Sequence, residues 1–345
     1  MKTVYVHIGL HKTGTTTIQD YLIANAELLE THGVFVPFKH RNHSLTFWVN
    51  GKQNNQKRQN QWTRLMRKIK RSELNTVVLS SEFFSRDISE IENWHVNFDE
   101  LVAQGYNIKF ILYLRRSDRR FESLFIEAIK GGNGLKDIRD FPYERFIDNW
   151  ALCQKIVSKF GDDSLIVRKF EEDAKQGLLN SFMQCLGVTN VGIDEAKYQA
   201  NTKPSLDQLR AIQYAGELYG RLVSKMFNTQ RQRRKAIKRW TKSFIASTEH
   251  WNDQKSYTLL PFDVANLILA DQYESNKKIA TTFFGGDMTY LHTEDLAQNK
   301  AESLSIDNMK SEHLFEALEL FNNVELITES MNIEPSSPAH DLESD

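Results

Sequence analysis

Residues 3–19 read TVYVHIGLHKTGTTTIQ, a run that predicts a strand, a loop and a helix in succession. Residues 3–8 predict a buried strand, residues 9–14 a turn bounded by two glycines, and residues 15–30 an amphipathic helix. The apolar side of that helix is expected to include Ile18, Tyr21, Leu22 and Leu28. A glycine-bounded loop between a strand and a helix directs backbone N–H groups and the helix dipole toward an anion. The stretch therefore predicts a phosphate-binding loop.

The pattern outward from this loop alternates strands with helices. Further strands are predicted at residues 34–36, 75–80, 107–114 and 165–169, and further helices at residues 88–103, 118–130 and 174–186. Residues 39–61 are polar and predict a long surface loop. Alternating strands and helices predict an α/β fold with a central parallel sheet and helices on both faces.

Strand patterns disappear after about residue 204, and helical patterns continue to about residue 284. We therefore expect an α/β core at residues 1–200, a helical part of the same domain at residues 201–290, and an extension at residues 291–345. The extension ends, from Glu334, in a stretch of Ser, Pro and acidic residues that predicts a disordered tail.

Composition restricts the partners and the compartment. The 345 residues carry 44 Lys and Arg against 45 Asp and Glu, so overall charge gives no attraction to nucleic acid or an anionic membrane. Cys153 and Cys185 form neither a metal motif nor a disulfide framework. The chain starts on a strand pattern and has no apolar run of membrane-spanning length. We expect a cytoplasmic protein without a transmembrane segment or a nucleic-acid partner.

The loop differs from that of nucleoside triphosphatases in the place of its lysine. Their pattern is G-x-x-x-x-G-K-[ST], whereas here Thr15 has the lysine position and Lys12 stands three residues earlier. From there Lys12 can reach a bridging oxygen on the 5′ side of a nucleotide and stabilise a leaving group. The strand before Glu82 also lacks the Asp that holds magnesium in those enzymes, which favours a metal-free transfer. The alternative is an ordinary helix capped by Thr13 or Thr15.

Residues 11–19, HKTGTTTIQ, resemble the 5′-phosphosulfate loop of the PAPS-dependent sulfotransferase family, in its prokaryotic type. The resemblance implies a P-loop α/β sandwich and a metal-free sulfotransferase. Such an enzyme moves the sulfuryl group of 3′-phosphoadenosine 5′-phosphosulfate (PAPS) to an acceptor hydroxyl or amine. Lys12 would be catalytic, and the 5′-phosphate would be held by Lys12, Thr13, Gly14, Thr15 and Thr16.

The family also has a 3′-phosphate site, an arginine at a strand end with a serine eight residues later. Residues 113–123, YLRRSDRRFES, supply Arg115 and Ser123 at that spacing, with further arginines that can assist. A guanidinium can grip a phosphate with two parallel hydrogen bonds. The alternative is a solvated basic helix face paired with Glu122 and Glu127.

Two weaker similarities follow along the chain. Residues 167–172, VRKFEE, resemble a family strand end that places Phe170 against the adenine; a core phenylalanine is the alternative. Residues 201–206, NTKPSL, resemble a loop that would bring Lys203 to the 3′-phosphate; a helix N-cap at Ser205 is the alternative.

The acceptor needs a base, and Glu82 is the first candidate. Glycan-modifying members of the family use a glutamate, and Glu82 follows the strand at residues 75–80 with Phe83 beside it. His11 is the rival, followed by His40 and His43 in the polar loop. We expect His7, inside the first strand, to be structural.

The acceptor and two rival functions complete the expectations. A saccharide is favoured over a lipid or small metabolite, because residues 52–71 and the basic run at residues 231–239 can line a groove for an acidic glycan. Solvated helix faces are the alternative for both runs. A P-loop small-molecule kinase would require magnesium and ATP, and a catalytically silent nucleotide-binding module would bind without turnover.

Overall fold

The computed structural model describes residues 2–41, 56–90, 92, 94–132, 135–143, 148–189, 191–198, 203–226, 229–251, 256–291 and 301–322. The five strands of its sheet are β1 (Thr3–His7), β2 (Val34–Phe35), β3 (Thr76–Ser80), β4 (Asn107–Leu114) and β5 (Leu165–Lys169). They lie in the order β2-β3-β1-β4-β5, and every pair is parallel.

Helices alternate with these strands along the chain and continue after the last strand. In chain order they are α1 (Thr15–Ala24), α2 (Ala26–Thr31), α3 (Gln56–Arg71), α4 (Phe83–Glu90), α5 (Val96–Ala103), α6 (Ser117–Lys130), α7 (Asn149–Phe160), α8 (Phe170–Gln176), α9 (Leu178–Cys185), α10 (Leu206–Met226), α11 (Gln230–Ser247), α12 (Phe262–Asp271), α13 (Tyr273–Phe283) and α14 (Ser311–Asn322). None of the described helices is long and apolar enough to cross a membrane.

Each face of the sheet has its own apolar core, because successive side chains of a strand point to opposite faces. Val77 and Leu79 of β3 belong to one core, which Trp62 of α3 and Ile156 of α7 complete. Val78 belongs to the other core, together with residues of α1 and α9. The predicted fold class, a parallel α/β sandwich with helices on both faces, is confirmed.

The order of the strands creates a place for a ligand above β1. The chain goes from β1 to β2 and β3 on one side and then crosses β1 to β4 and β5 on the other. In open parallel sheets, ligands bind outside the carboxyl ends of the strands where the order reverses in this way. The residues that follow β1, β3 and β4 therefore meet at one edge.

Three predicted helices are wrong in their bounds, because each is two helices. Residues 15–30 break at Asn25, whose side chain donates to the Tyr21 carbonyl, and the shift leaves Leu28 44% exposed while Leu29 is buried. Residues 88–103 are α4 and α5. Residues 174–186 are α8 and α9, separated by Gly177 with a φ of +114°.

The polar loop predicted at residues 39–61 is also too long, because α3 begins at Gln56. Trp62, Leu65 and Ile69 of α3 are buried on the sheet, and this apolar spacing outweighs the polar composition around it. Residues 42–55, including His43, lie outside the described residues, as does the predicted tail from Glu334.

The chain divides into two compact units. The first comprises Met1–Arg120, Glu144–Thr202 and Asn266–Asp295, and the second comprises Phe121–Tyr143, Lys203–Ala265 and Leu296–Asp345. In the second unit the rings of Trp240 and Phe244 stack, and Phe321 of α14 packs against both. The domain bounds at residues 200 and 290 stay a prediction.

Candidate functional site

The loop after β1 has a left-handed backbone at three positions. Gly9, Lys12 and Gly14 have φ angles of +62°, +71° and +72°. Lys12 is the one residue other than glycine with positive φ in the described part of the chain. That conformation costs an L-residue about 1–2 kcal/mol, and such strain is concentrated at functional sites.

The helix that follows the loop is open at its N-terminus. Gly14 is the N-cap of α1, and no side chain accepts a hydrogen bond there. Thr13 is turned back instead: its Oγ1 donates to the Leu10 carbonyl at 2.7 Å and accepts from the Leu10 N–H at 3.2 Å. The alternative of a helix capped by Thr13 or Thr15 is therefore wrong. The first-turn N–H groups, at Thr15 and Thr16, remain available to an anion.

Both glycines of the motif are required by packing as well as by φ. A Cβ on Gly9 would lie 2.8 Å from Thr15 Oγ1 and 3.2 Å from the Glu82 Cα. A Cβ on Gly14 would lie 2.3 Å from Leu178 Cδ2 and 3.2 Å from Phe170 Cε2. The loop is thus packed tightly between the residues after β3 and those after β5.

Arg115, Phe170 and Glu171 form one side of the loop, which we call the β4–β5 flank. Arg115 Nη1 donates to the Lys12 carbonyl at 2.9 Å, and its guanidinium lies 5.4 Å from the centre of the Phe170 ring. Arg115 Nε is 3.6 Å from Glu171 Oε1. Burial raises the pKa of Glu171, and Arg115 acts in the opposite direction. A guanidinium and an aromatic face at one edge suit a phosphate next to a flat base.

The arginines after Arg115 have different surroundings. Arg116 is 5% exposed and grips Asp118 through two hydrogen bonds of 2.7 and 2.8 Å, and Arg120 is 3% exposed. The alternative of a solvated basic face is wrong for these two residues. Arg116 therefore stabilises the turn into α6 through Asp118, whereas Arg115 contacts the loop.

His11, Gln19 and Glu82 form the other side of the loop, which we call the β3 flank. Gln19 is 1% exposed, and its Nε2 donates to Glu82 Oε2 at 3.2 Å and approaches the Ser80 carbonyl at 3.4 Å. One buried amide therefore ties the helix after the phosphate loop to the carboxylate predicted as the base.

His11 lies beside the same carboxylate. Burial lowers its pKa below the usual value, Arg120, Lys12 and Arg86 act in the same direction, and Glu82 opposes them. The ring packs edge-on against Phe83, with 5.5 Å between ring centres. The imidazole is therefore neutral at pH 7, which is the form that can accept a proton.

Two other histidines are placed away from such chemistry. His7 is fully buried, its Nδ1 is 2.8 Å from Ser80 Oγ, and burial lowers its pKa to about 3. It is part of the sheet interior, in agreement with a structural role. His40 is exposed after β2.

Ser123 and Lys203 both belong to the second unit. Ser123 is half-buried on α6. Lys203 Nζ donates to the Tyr257 carbonyl at 2.7 Å and is 3.5 Å from Glu122 Oε1. Ser205 Oγ accepts from the Gln208 N–H, while Gln208 Oε1 accepts from the Ser205 N–H, so the N-cap alternative is right for Ser205. A role of Ser123 or Lys203 in nucleotide binding stays a prediction.

Two residues of the site were not predicted from the sequence. Gln19 is the last residue of the motif at residues 11–19, but a glutamine in an amphipathic helix does not by itself predict a functional role. Glu171 adjoins Phe170, and a carboxylate is not expected in a phosphate site. Their positions follow from burial and from partners distant in the chain.

No family model matches this sequence, and no curated protein matches it. Among solved structures, the chain is similar to a sulfotransferase from Alicyclobacillus acidocaldarius, with 16% sequence identity and a TM-score of 0.41. The similarity covers 63% of this chain and 93% of that one. Similarity at this level assigns neither an activity nor a substrate.

Proposed function

We propose that this protein is a sulfotransferase that takes the sulfuryl group of PAPS to an acceptor hydroxyl or amine. The observation that carries the proposal is the contact of Arg115 with the Lys12 carbonyl at 2.9 Å. This contact joins the Arg115 side chain to the backbone of the loop that carries Lys12, and the family resemblance assigns these two residues to the 3′- and 5′-phosphates. The uncapped start of α1 and the Phe170 ring beside Arg115 suit the same nucleotide.

In this proposal the loop acts on the leaving group. The acceptor oxygen or nitrogen forms a bond to sulfur while the bond from sulfur to the 5′-phosphate oxygen breaks. Lys12 neutralises the charge that grows on that oxygen, and the amides of Thr15 and Thr16 hold the phosphate. Sulfuryl transfer is analogous to phosphoryl transfer, where positioning and charge stabilisation supply most of the catalysis.

The acceptor proton goes to the β3 flank. Glu82 is the proposed base, because Gln19 holds its carboxylate beside the loop through a 3.2 Å hydrogen bond. His11 is the rival, since its lowered pKa leaves the imidazole neutral. A saccharide acceptor and a cytoplasmic location remain part of the proposal.

A kinase is less well supported by the same loop. A triphosphate loop needs a lysine at position 15, where the chain has Thr15, a 6% exposed residue whose Oγ1 approaches the Leu10 carbonyl. A catalytically silent module would keep the nucleotide site without transfer.

Thermal unfolding with ligands separates these functions. Adenosine 3′,5′-bisphosphate should raise the unfolding temperature, whereas ATP with magnesium should not, because a ligand bound only by the folded state stabilises it. Radiolabelled PAPS with a panel of hydroxyl and amine acceptors then tests turnover. Stabilisation by ATP and magnesium alone would support the kinase, and stabilisation by the bisphosphate without any transfer would support the silent module.

A further inference from the structure

The second unit carries a helix whose charge is all of one sign. From Gln230 to Ser247, α11 reads QRQRRKAIKRWTKSFIAS, with seven Lys and Arg and no Asp or Glu. The chain as a whole has a formal net charge of −1. The positive charge is therefore a local property of this helix.

The cations of α11 are separated from its apolar side. Ala236, Trp240 and Phe244 are buried in the core of the unit. Arg234, Lys235, Lys238, Arg239 and Lys242 are all exposed. These five residues are called the α11 basic face. Their spacing of one and four residues places them on one side of the helix in two adjacent rows.

This arrangement is unfavourable for the helix itself. Arg234 and Lys238, Lys235 and Arg239, and Lys238 and Lys242 are like charges four residues apart, which destabilises a helix. The first turn contains no acidic residue and the last turn no basic one, so the charges also oppose the helix dipole. Within the described residues, no ion pair or hydrogen bond compensates Arg234, Lys235, Lys238 or Lys242. An anionic partner would relieve this repulsion.

The chemistry of the face selects among anionic partners. A membrane-bound helix inserts its apolar side into the bilayer, but here that side is buried within the unit. Single-stranded nucleic acid is held by stacking on aromatic side chains, and the α11 basic face has none. Duplex DNA carries a charge about every 1.7 Å of its axis, far denser than cations repeating about every 6 Å along a helix.

We propose that the α11 basic face binds an acidic polysaccharide, a chain with sulfate or carboxylate groups on successive sugars. Such a chain presents separated charges along a flexible line, which matches the rows of Arg and Lys. Arg adds two parallel hydrogen bonds to a sulfate or carboxylate. The surface lies entirely within the second unit.

Binding of dextran sulfate by the full chain tests the proposal. The variant Arg234→Gln/Lys238→Gln/Lys242→Gln should bind labelled dextran sulfate at least about tenfold more weakly, with a shallower dependence on salt. The control Lys175→Gln/Lys277→Gln/Lys278→Gln loses the same charge at exposed lysines elsewhere, and its binding should change less than about twofold. The variant Arg234→Lys/Lys238→Arg/Lys242→Arg keeps the charge and should keep most of the affinity.

Competitors identify the partner class in the same assay. Neutral dextran should not compete, and duplex DNA, polyglutamate and anionic vesicles should compete more weakly than dextran sulfate at equal ionic strength. Equal weakening by the α11 variant and its control would overturn the proposal, as would stronger competition by any of the other polyanions. Thermal unfolding of each variant confirms that it is folded. Binding of adenosine 3′,5′-bisphosphate should be unchanged in the α11 variant, so this test and that of the P-loop fail separately.

Discussion

The two flanks of the P-loop contain opposite chemistry although both follow parallel strands of one sheet. In the β4–β5 flank, the Arg115 guanidinium contacts the loop backbone and lies over the Phe170 ring, which is itself next to Gly14. The β3 flank has a carboxylate, a buried amide and a neutral imidazole. The first set can bind an anion next to a flat base, and the second can take a proton. In the proposed function, the β4–β5 flank holds the donor nucleotide and the β3 flank activates the acceptor.

Lys12 lies between the flanks, and its replacement should have the largest effect. Lys12→Ala and Lys12→Gly should both lower transfer by about 10³-fold, the scale of losing a group that stabilises transition-state charge. Glycine accepts the positive φ of this position, so Lys12→Gly should unfold at a temperature no lower than the wild type. Radiolabelled transfer and thermal unfolding measure the two quantities. Transfer at the wild-type rate in either variant would contradict the role of Lys12.

Glu82→Gln should remove the carboxylate of the β3 flank and leave the β4–β5 flank unchanged. We expect kcat to fall by about 10²-fold, the lower range for a general base, while the affinity for adenosine 3′,5′-bisphosphate stays the same. The dependence of the rate on pH distinguishes His11. Because burial lowers the pKa of His11, a rate controlled by this residue would rise with pH, and the midpoint of that rise would lie below pH 6.5. If the Glu82→Gln enzyme keeps its rate and the same rise of rate with pH, His11 rather than Glu82 is the base.

Gln19 tests whether the β3 flank must be held in place. Gln19→Leu should lower kcat by about tenfold with little change in nucleotide affinity, because it removes the 3.2 Å contact to Glu82. Gln19→Glu keeps the size but adds a like charge, so the rising limb of the pH profile should move to higher pH. A merely structural Gln19 would change stability and leave that limb in place.

Gly14→Ala should have the smallest effect, and mainly on stability. Gly33→Ala is the matched control, because Gly33 also has positive φ but nothing lies within 4 Å of its added Cβ. The control should lose about 1 kcal/mol of unfolding free energy from backbone strain alone. Gly14→Ala should lose a further ~1 kcal/mol or more, because its Cβ collides with Leu178 and approaches Phe170. Urea unfolding measures the unfolding free energy of both variants. Equal losses would mean that Leu178 and Phe170 move aside at little cost.

The sequence predicted the sheet and the loop because their signals are local. Residues 107–114 and 165–169 coincide with β4 and β5, since short runs of apolar and β-branched residues bounded by polar ones specify strands. Helix bounds were less predictable, because breaks at Asn25 and Gly177 depend on what each half packs against. The start of α3 was not predictable, because polar residues surround the few apolar ones, Trp62 and Ile69 among them, that are buried.

The residues of the candidate site were predictable only where they belong to a recognisable sequence motif. Lys12 and Arg115 stand at motif positions, and the structure brings the Arg115 side chain to the Lys12 backbone. The link from Gln19 to Glu82 spans 63 residues and the pair of Arg115 with Glu171 joins two strands, so neither has a pattern within one segment. Contacts of this kind depend on tertiary packing.

In the proposed function Lys12 and Arg115 bind opposite ends of one nucleotide, and calorimetric titration with two nucleotides is the decisive experiment. Adenosine 3′,5′-bisphosphate has both phosphates, whereas AMP has only the 5′-phosphate. Arg115→Gln should weaken binding of the bisphosphate by about 10–100-fold, as expected for a charged hydrogen-bonding group, and leave AMP unchanged. Lys12→Ala should weaken both ligands. Equal weakening of both nucleotides by Arg115→Gln, or no heat from the bisphosphate with the wild type, would contradict the account.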